Sequence, residues 1–280
     1  MSLIVHFTDG RNVTASTDEV SKMDAAGLLG SGVTISNPET GNEIELSSLA
    51  SDSETEKPDW RPVERRHDRF KGALIGFIIV CVLMIASNFH AAAVIENLVN
   101  RPTEAYLYPE QVGAFIDLHQ GIISLLYLVV YVLCFVFFAM FFFRAQRNLK
   151  QIKAQEAEMS PGWIVGWNFV PLANFFMPFS GVRQNWQASR RLSGEDHEDL
   201  SLLQKWWAAW LVAAISSNIF GRFGTDGLVG EVTDYGAYVT GLRLSGVSDM
   251  VMIVATIILI KIIKQIDDAQ AVITASKKQD

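Results

Sequence analysis

Only two cysteines, Cys81 and Cys134, occur among the 280 residues, and both sit inside apolar runs. No disulfide framework or CxxC pair can be built from them, and a thiol in such a run behaves as a small hydrophobe. Basic charge is also short: 23 Lys and Arg stand against 30 Asp and Glu, for a net charge of -7. That balance argues against nucleic acid as a partner. Catalytic signatures are missing as well, with no HExxH, P-loop, dinucleotide fingerprint or nucleophile–base arrangement. Ser160 has no histidine near it in sequence, and His197 lies in the solvated acidic stretch Gly194–Glu198. No enzymatic activity and no cofactor are therefore expected. The start, MSLIVHFTDGRN, lacks the basic head and long apolar core of a signal peptide, so the first span is expected to act as the membrane signal.

What the chain has in quantity is apolar residues, half of the total, gathered in blocks. Blocks of about 20 apolar residues match the roughly 30 Å of bilayer hydrocarbon. Four such spans are predicted, at 73–93, 122–143, 206–220 and 247–266. The third gains length if Lys205 snorkels to the interface. No charge lies in the middle of any span, which counts against an ion pump or a transporter of charged solutes. Arg61, Arg65, Arg66, Arg69 and Lys71 precede the first span, and eight basic residues fall between the second and third. By the positive-inside rule, both termini and that middle loop face the cytoplasm.

Residues 1–50 read as a small cytosolic α+β module of order β–α–β–β. Its strands are expected at 3–7, 33–35 and 44–46, with turn chemistry at 8–12 and a helix from Asp18 through Leu29 closed by Gly30. Thr17 followed by Val20 does not make a capping box. Residues 51–64 are an acidic linker, 65–270 the membrane domain and 271–280 a cytosolic tail. Acidic residues crowd ahead of Trp60, so the net charge belongs largely to the N-terminal region.

Between the second and third spans lies SPGWIVGWNFVPLANFFMPFSGVRQNW, residues 160–186. It is apolar enough to enter a membrane, yet Pro161, Gly162, Gly166, Pro171 and Pro178 break a straight helix. A full crossing would carry Arg183, Arg190 and Arg191 to the outer side, against the charge rule. A re-entrant or interfacial hairpin keeps them inside and is the expectation here. Asn168 and Asn174 are expected to satisfy backbone groups freed at the prolines. GxxxG pairs at Gly72/Gly76 and Gly162/Gly166 suggest close packing of the hairpin against the first span.

The run from Arg144-Ala145-Gln146-Arg147-Asn148-Leu149 through Ser160-Pro161-Gly162-Trp163, Gly166-Trp167, Val170-Pro171-Leu172-Ala173-Asn174, Pro178 and Arg183…Trp186 resembles a bacterial membrane family known as domain of unknown function 4328. The likeness continues through Trp206-Trp207-Ala208-Ala209-Trp210 to Lys264-Gln265-Ile266 and Gln270, covering roughly 65–270. It departs from the family pattern at Asn168 and Phe176, where a bulky residue is usual, and in the loop 222–246. The resemblance implies an all-α membrane domain of four transmembrane helices, in a bacterial cytoplasmic membrane, and implies no reaction. The N-terminal layout is similar to small adaptor domains of the GYF type but lacks their tryptophans.

Three groups of residues are candidates for function. Trp163, Trp167 and Trp186, with Asn168 and Asn174, could line a pocket for a lipid or apolar ligand, or could belong to an aromatic belt at headgroup depth. Arg144, Arg147 and Arg183, with Lys150, Arg190 and Arg191, form a basic patch that could hold a phosphorylated headgroup or could be plain positive-inside charge. His90, Asp117, His119 and Asp249 fall near the outer ends of spans and are metal-ligand and proton-relay types, although interfacial polar residues also look like this. The expected role is a non-catalytic membrane-anchored adaptor or sensor, with a protein partner for the N-terminal module. The alternative is a protein that binds or transports a lipid or small molecule through the hairpin and basic patch. Membrane lipids are expected partners in both cases, and self-association is left open.

Overall fold

The computed structural model describes residues 2–30, 32–45, 60–100, 109–225 and 232–275, with the side chains of 98, 99 and 109–119 left aside. Most of the acidic linker, 51–59, therefore lies outside the described residues, as do residue 46 of the predicted strand and the end of the tail. The chain forms two compact units: residues 1–70, 137–203 and 261–280 make the first, and 71–136 with 204–260 the second.

The first unit opens with β1 (Ser2–His6), β2 (Asn12–Ser16) and α1 (Thr17–Ala25), followed by β3 (Thr34–Ser36) and β4 (Glu43–Ile44). The sheet order is β2-β1-β3-β4, all antiparallel, with Leu3 opposite Ala15 and Val5 opposite both Val13 and Ile35. Period-two alternation sends Leu3, Val5, Val13, Ala15 and Ile35 to one face, where they are buried. The order is thus β–β–α–β–β, one strand more than the sequence reading. The sequence reading places Asn12 in the turn and leaves residues 13–16 unassigned, although Val13 and Ala15 alternate with polar neighbours. A capping box is present one residue before the pair considered: the Ser16 hydroxyl accepts from Glu19 N, and the Glu19 carboxylate accepts from Ser16 N at 2.7 Å. α1 also stops four residues early, because Gly27 takes a left-handed φ of 63°.

The sheet does not close its own core. Leu3, Val5, Val13, Val20 and Ile35 pack in one cluster with Trp60, Leu149, Ile152, Ala154, Ala157, Ala188, Leu192 and Ile273. Some 50 residues with a four-stranded sheet have little interior, and the helices supply the missing apolar wall.

The long helices are α2 (Glu64–Asn100) and α3 (Pro109–Gln151), then, after the proline-rich segment, α6 (Ser201–Phe220) and α7 (Tyr235–Ala275). Three segments are long and apolar enough to cross a membrane: Glu64–Asn97, Gln120–Gln151 and Tyr235–Ala275. In the second unit their outer faces carry Ile79, Val82, Leu125, Leu128 and Val254, all exposed. Apolar exposure on this scale has no place in water, and the chain is a multi-pass membrane protein. α6 is not among these three. At 20 residues it reaches about 30 Å, but Gln204, Lys205, Ser216, Ser217 and Asn218 dilute its hydropathy.

The proline-rich segment is a chain of short helical pieces in the first unit. Ser160 caps α4 (Pro161–Gly166), with Pro161 at a position where no amide hydrogen is needed. Single 3-10 turns follow at Trp167–Phe169 and Ala173–Phe175, and α5 (Met177–Leu192) closes the segment. Leu172, between the two turns, holds φ at 67°. Asn168 donates to the carbonyls of Ile164 and Val165, at the end of α4 and not at the groups freed by Pro171 or Pro178. At Asn174 it is the backbone N–H that bonds, to the Val170 carbonyl. Neither GxxxG pair makes a close approach to another helix: a Cβ at Gly72, Gly76 or Gly162 would meet nothing within 4 Å, and one at Gly166 would meet only Trp163 of its own turn, at 3.2 Å. Within the proline-rich segment the close approach is at Gly181 of α5, where a Cβ would come within 2.5 Å of Ile164 Cγ1. That contact seats α4 on α5.

Candidate functional site

A cavity of about 650 Å³ opens in the first unit where the chain entering α2 meets α3 and α4. Arg61 and Arg66 line it from the first segment, Arg144 and Arg147 from α3. Ala139, Met140 and Phe143 continue the wall along α3, and Gly162 with Val165 contribute from α4. Arg144 and Arg147 are three residues apart on one helix face, one turn beyond Met140 and Phe143. The wall therefore passes from apolar to cationic along a single helix. Arg144 is buried, at 5% exposure, while Arg61 and Arg147 are open to solvent. Among the described lining residues none is acidic.

Arg61 is placed by a buried amide network. The Asn148 side chain accepts from Arg61 N at 3.3 Å and donates to the Arg61 carbonyl at 2.8 Å, which is the pairing a neighbouring strand would offer. Asn148 also donates to Gln270 Oε1 at 3.0 Å, and Gln270 donates in turn to Ser189 Oγ and the Ala145 carbonyl. Trp60 Nε1 donates to Thr274 Oγ1 at 2.9 Å, pinning the same stretch. A second network holds the other side. Gln146 donates to the Met159 carbonyl, Asn185 donates to Gln146, and the Gln184 side chain accepts from Met159 N. Trp186 Nε1 donates to Gln265 Oε1 at 2.8 Å. These buried amides tie α3 to α5 and α7, while Asn185 Oδ1 finds no hydrogen-bond partner among the described residues.

The predicted residues separate on this frame. Arg144 and Arg147 line the cavity. Trp163, about half exposed and on the same short helix as Gly162 and Val165, meets Trp167 of the next turn with ring centroids 4.7 Å apart and planes tilted by 32°. Arg183, Trp186 and Asn174 do not line it. Trp186 is buried, and Arg190 lies over its ring at 4.9 Å. The six-residue basic patch breaks up: Arg190 pairs with Glu195 at 2.8 Å, and Arg191 is enclosed by Glu19 and Glu156. Burial works against the Arg191 charge, but hydrogen bonds to Glu156 and Glu19 outweigh it and hold its pKa above the ordinary value. The partners of Arg191 stand 35 and 172 residues away in sequence, whereas Glu195, the partner of Arg190, is a near neighbour in the acidic stretch read as solvated. Arg61 and Arg66 enter the site without having been singled out. Their one signal was the basic cluster before the first span.

Of the candidate metal ligands, His90 is exposed and Asp249 buried at 8% exposure, while the side chains of Asp117 and His119 lie outside the described residues. Among the described residues no three His, Cys, Asp or Glu side chains gather as a metal site would need.

Residues 106–268 match the family model described as Domain of unknown function (DUF4328). The match takes in more than half of the chain, and this protein belongs to that family. It starts at residue 106, some forty residues later than the resemblance read from the motifs. No curated protein and no solved structure matches the chain.

Proposed function

We propose that this member of the family is a non-catalytic binding protein of the bacterial cytoplasmic membrane, which takes an anionic amphiphile into its arginine-lined cavity. One observation carries the reading: four guanidinium groups and an apolar wall of Ala139, Met140, Phe143 and Val165 share one cavity. Guanidinium stays charged at every physiological pH and suits carboxylate or phosphate, while the apolar wall suits a hydrocarbon chain. In this reading the chain crosses four times, with α6 as the third crossing and both termini in the cytoplasm. The paired rings of Trp206, Trp207 and Trp210 support an interfacial anchor at the start of α6.

The proline-rich segment acts as an interfacial hairpin. Its tip bares Phe169, Leu172 and Phe176 at 71%, 77% and 71% exposure. Burying a side chain of that size in the acyl layer is worth about 1.5–3 kcal/mol, enough to hold the tip at the membrane. The test is purification in mild detergent followed by lipid analysis of the retained fraction. Wild-type protein should retain anionic lipid, and Arg144→Ala with Arg147→Ala should lose it while still inserting. Equal lipid retention by both forms would sink the proposal.

A second reading, a membrane-anchored adaptor or sensor, is supported by the sheet face that turns away from the core and carries Thr14, Thr34 and Ser36. Its test is capture of a protein partner by the full chain that is lost when that face is recoded, as in Thr14→Lys with Thr34→Glu. A complete sheet face with no partner would count against it.

A further inference from the structure

We infer that the tip of the proline-rich segment is a lipid-packing sensor: it inserts where the acyl layer beside it is loosely packed, and headgroup charge does not govern its depth. This rests on the interfacial-hairpin reading above and names the kind of membrane that the hairpin takes. Composition comes first. Phe169, Leu172 and Phe176 are bulky, apolar and exposed, and none of them lines the arginine cavity. From Met159 to Val182 the chain carries no charge, and the residues that bound this stretch, Glu158 and Arg183, are opposite in sign. A segment drawn to a membrane by electrostatics carries Lys and Arg on its polar face. This one has Asn168, Asn174 and Ser180 instead. Its insertion rests on apolar side chains, and these need gaps between headgroups that expose acyl chain.

The backbone is the second point. Polar backbone groups oppose entry into hydrocarbon unless they are already paired. At the tip Val170, Ala173, Asn174, Phe175 and Phe176 each donate their N–H to a carbonyl within the segment, at 2.8–3.3 Å. Pro171 has no N–H to satisfy. The tip is thus ready to enter an apolar layer as it stands. Leu172 keeps a left-handed φ of 67°, an unfavourable state for its side chain. That strain sits at the most exposed large apolar side chain among the described residues. The mounting is the third point. Ile164 of α4 lies against Gly181 of α5, and the Gln184 side chain accepts from Met159 N at 2.9 Å. Both arms of the hairpin are joined at their base, so lipid packing acts on how far the tip enters and not on the shape of the tip.

The experiment uses the full-length protein carrying Cys81→Ala, Cys134→Ala and a fluorophore on Ala173→Cys, reconstituted in phosphatidylcholine nanodiscs. Dioleoyl chains supply a loose acyl layer, and the same lipid with cholesterol supplies a tight one. Each is prepared with and without phosphatidylglycerol, and depth is read by quenching from nitroxide-labelled lipid. The ratio of inserted to withdrawn tip should be about tenfold higher in the loose layer, the low end for burying one further side chain of this size. Phosphatidylglycerol should leave that ratio unchanged. Phe169→Ser with Phe176→Ser, both at exposed positions, should remove the response. Val212→Ser, exposed on α6, should leave it intact. Equal insertion in loose and tight layers would overturn the packing selection and leave the interfacial hairpin standing. Insertion that follows phosphatidylglycerol content would overturn the charge independence and assign the depth to electrostatic attraction. A tip that stays in water in every lipid would overturn both this inference and the hairpin reading.

Discussion

Replacing Arg191 by alanine should unlock the N-terminal sheet from the helices of its own unit. The Arg191 side chain donates to Glu19, to both carboxylate oxygens of Glu156 and to the Thr14 carbonyl. It therefore ties α1, β2, the stretch before α4 and α5 at one point. Glu19 is completely buried. Losing its cation leaves that carboxylate with the N–H groups of Ser16 at 2.7 Å and Gln155 at 2.8 Å. Breaking one side of a buried pair typically removes 3–5 kcal/mol, and these two remaining donors place the loss near the lower end, about 3 kcal/mol. For a domain of this size that is roughly 6–12 °C in melting temperature. The assay is thermal unfolding in detergent beside limited proteolysis within residues 1–45. Arg191→Ala should melt early and be cut first in the N-terminal sheet. Glu19→Gln with Arg191→Met should recover much of the loss, since no buried charge is left unpaired. A melting curve for Arg191→Ala that overlays wild type, with unchanged cleavage, would refute the clamp.

Gly181→Ala should loosen α4 from α5 by about 1–3 kcal/mol through overpacking, because the new methyl meets Ile164 at 2.5 Å. A shifted emission of Trp163, rescued by Ile164→Ala, would report it. Leu172→Gly relieves a left-handed φ and should stabilise the segment by about 1 kcal/mol, while lowering the depth of the tip in a bilayer as read by brominated-lipid quenching. Asn148→Ala leaves the Arg61 backbone groups and Gln270 short of partners. It should cost about 1–3 kcal/mol and be seen as faster amide exchange at residues 60–63.

The resemblance read in the sequence and the family match agree because the motif is local: Ser160-Pro161-Gly162-Trp163 is a cap, a proline at the first helical turn and an aromatic side chain, all within four residues. The same locality made three apolar helices legible, since about 20 apolar residues announce themselves without any partner. The third predicted span, 206–220, rests on its apolar run and a snorkelling Lys205, and the polar ends of α6 keep it apart from the three. At the start of α1 the sequence reading misses a contact that is near in sequence but offset by one residue. The capping box stood at Ser16 and Glu19, not at Thr17.

Local chemistry in the chain determined that this protein has apolar helices of membrane-crossing length, a broken proline-rich segment after the second, and basic residues beside it. Hydropathy, helix capping and proline geometry act over a few residues, so they are written out in order. Tertiary structure alone decided which charges are enclosed by carboxylates and which line a cavity. Arg191 is neutralised by a carboxylate 172 residues away. Arg61 is carried to Arg144 and Arg147 by an asparagine 87 residues distant, which a glutamine a further 122 residues along holds in turn. Pairings over such distances depend on how helices pack, and two arginines of the same residue type, one clamped and one facing a cavity, are indistinguishable until that packing is known.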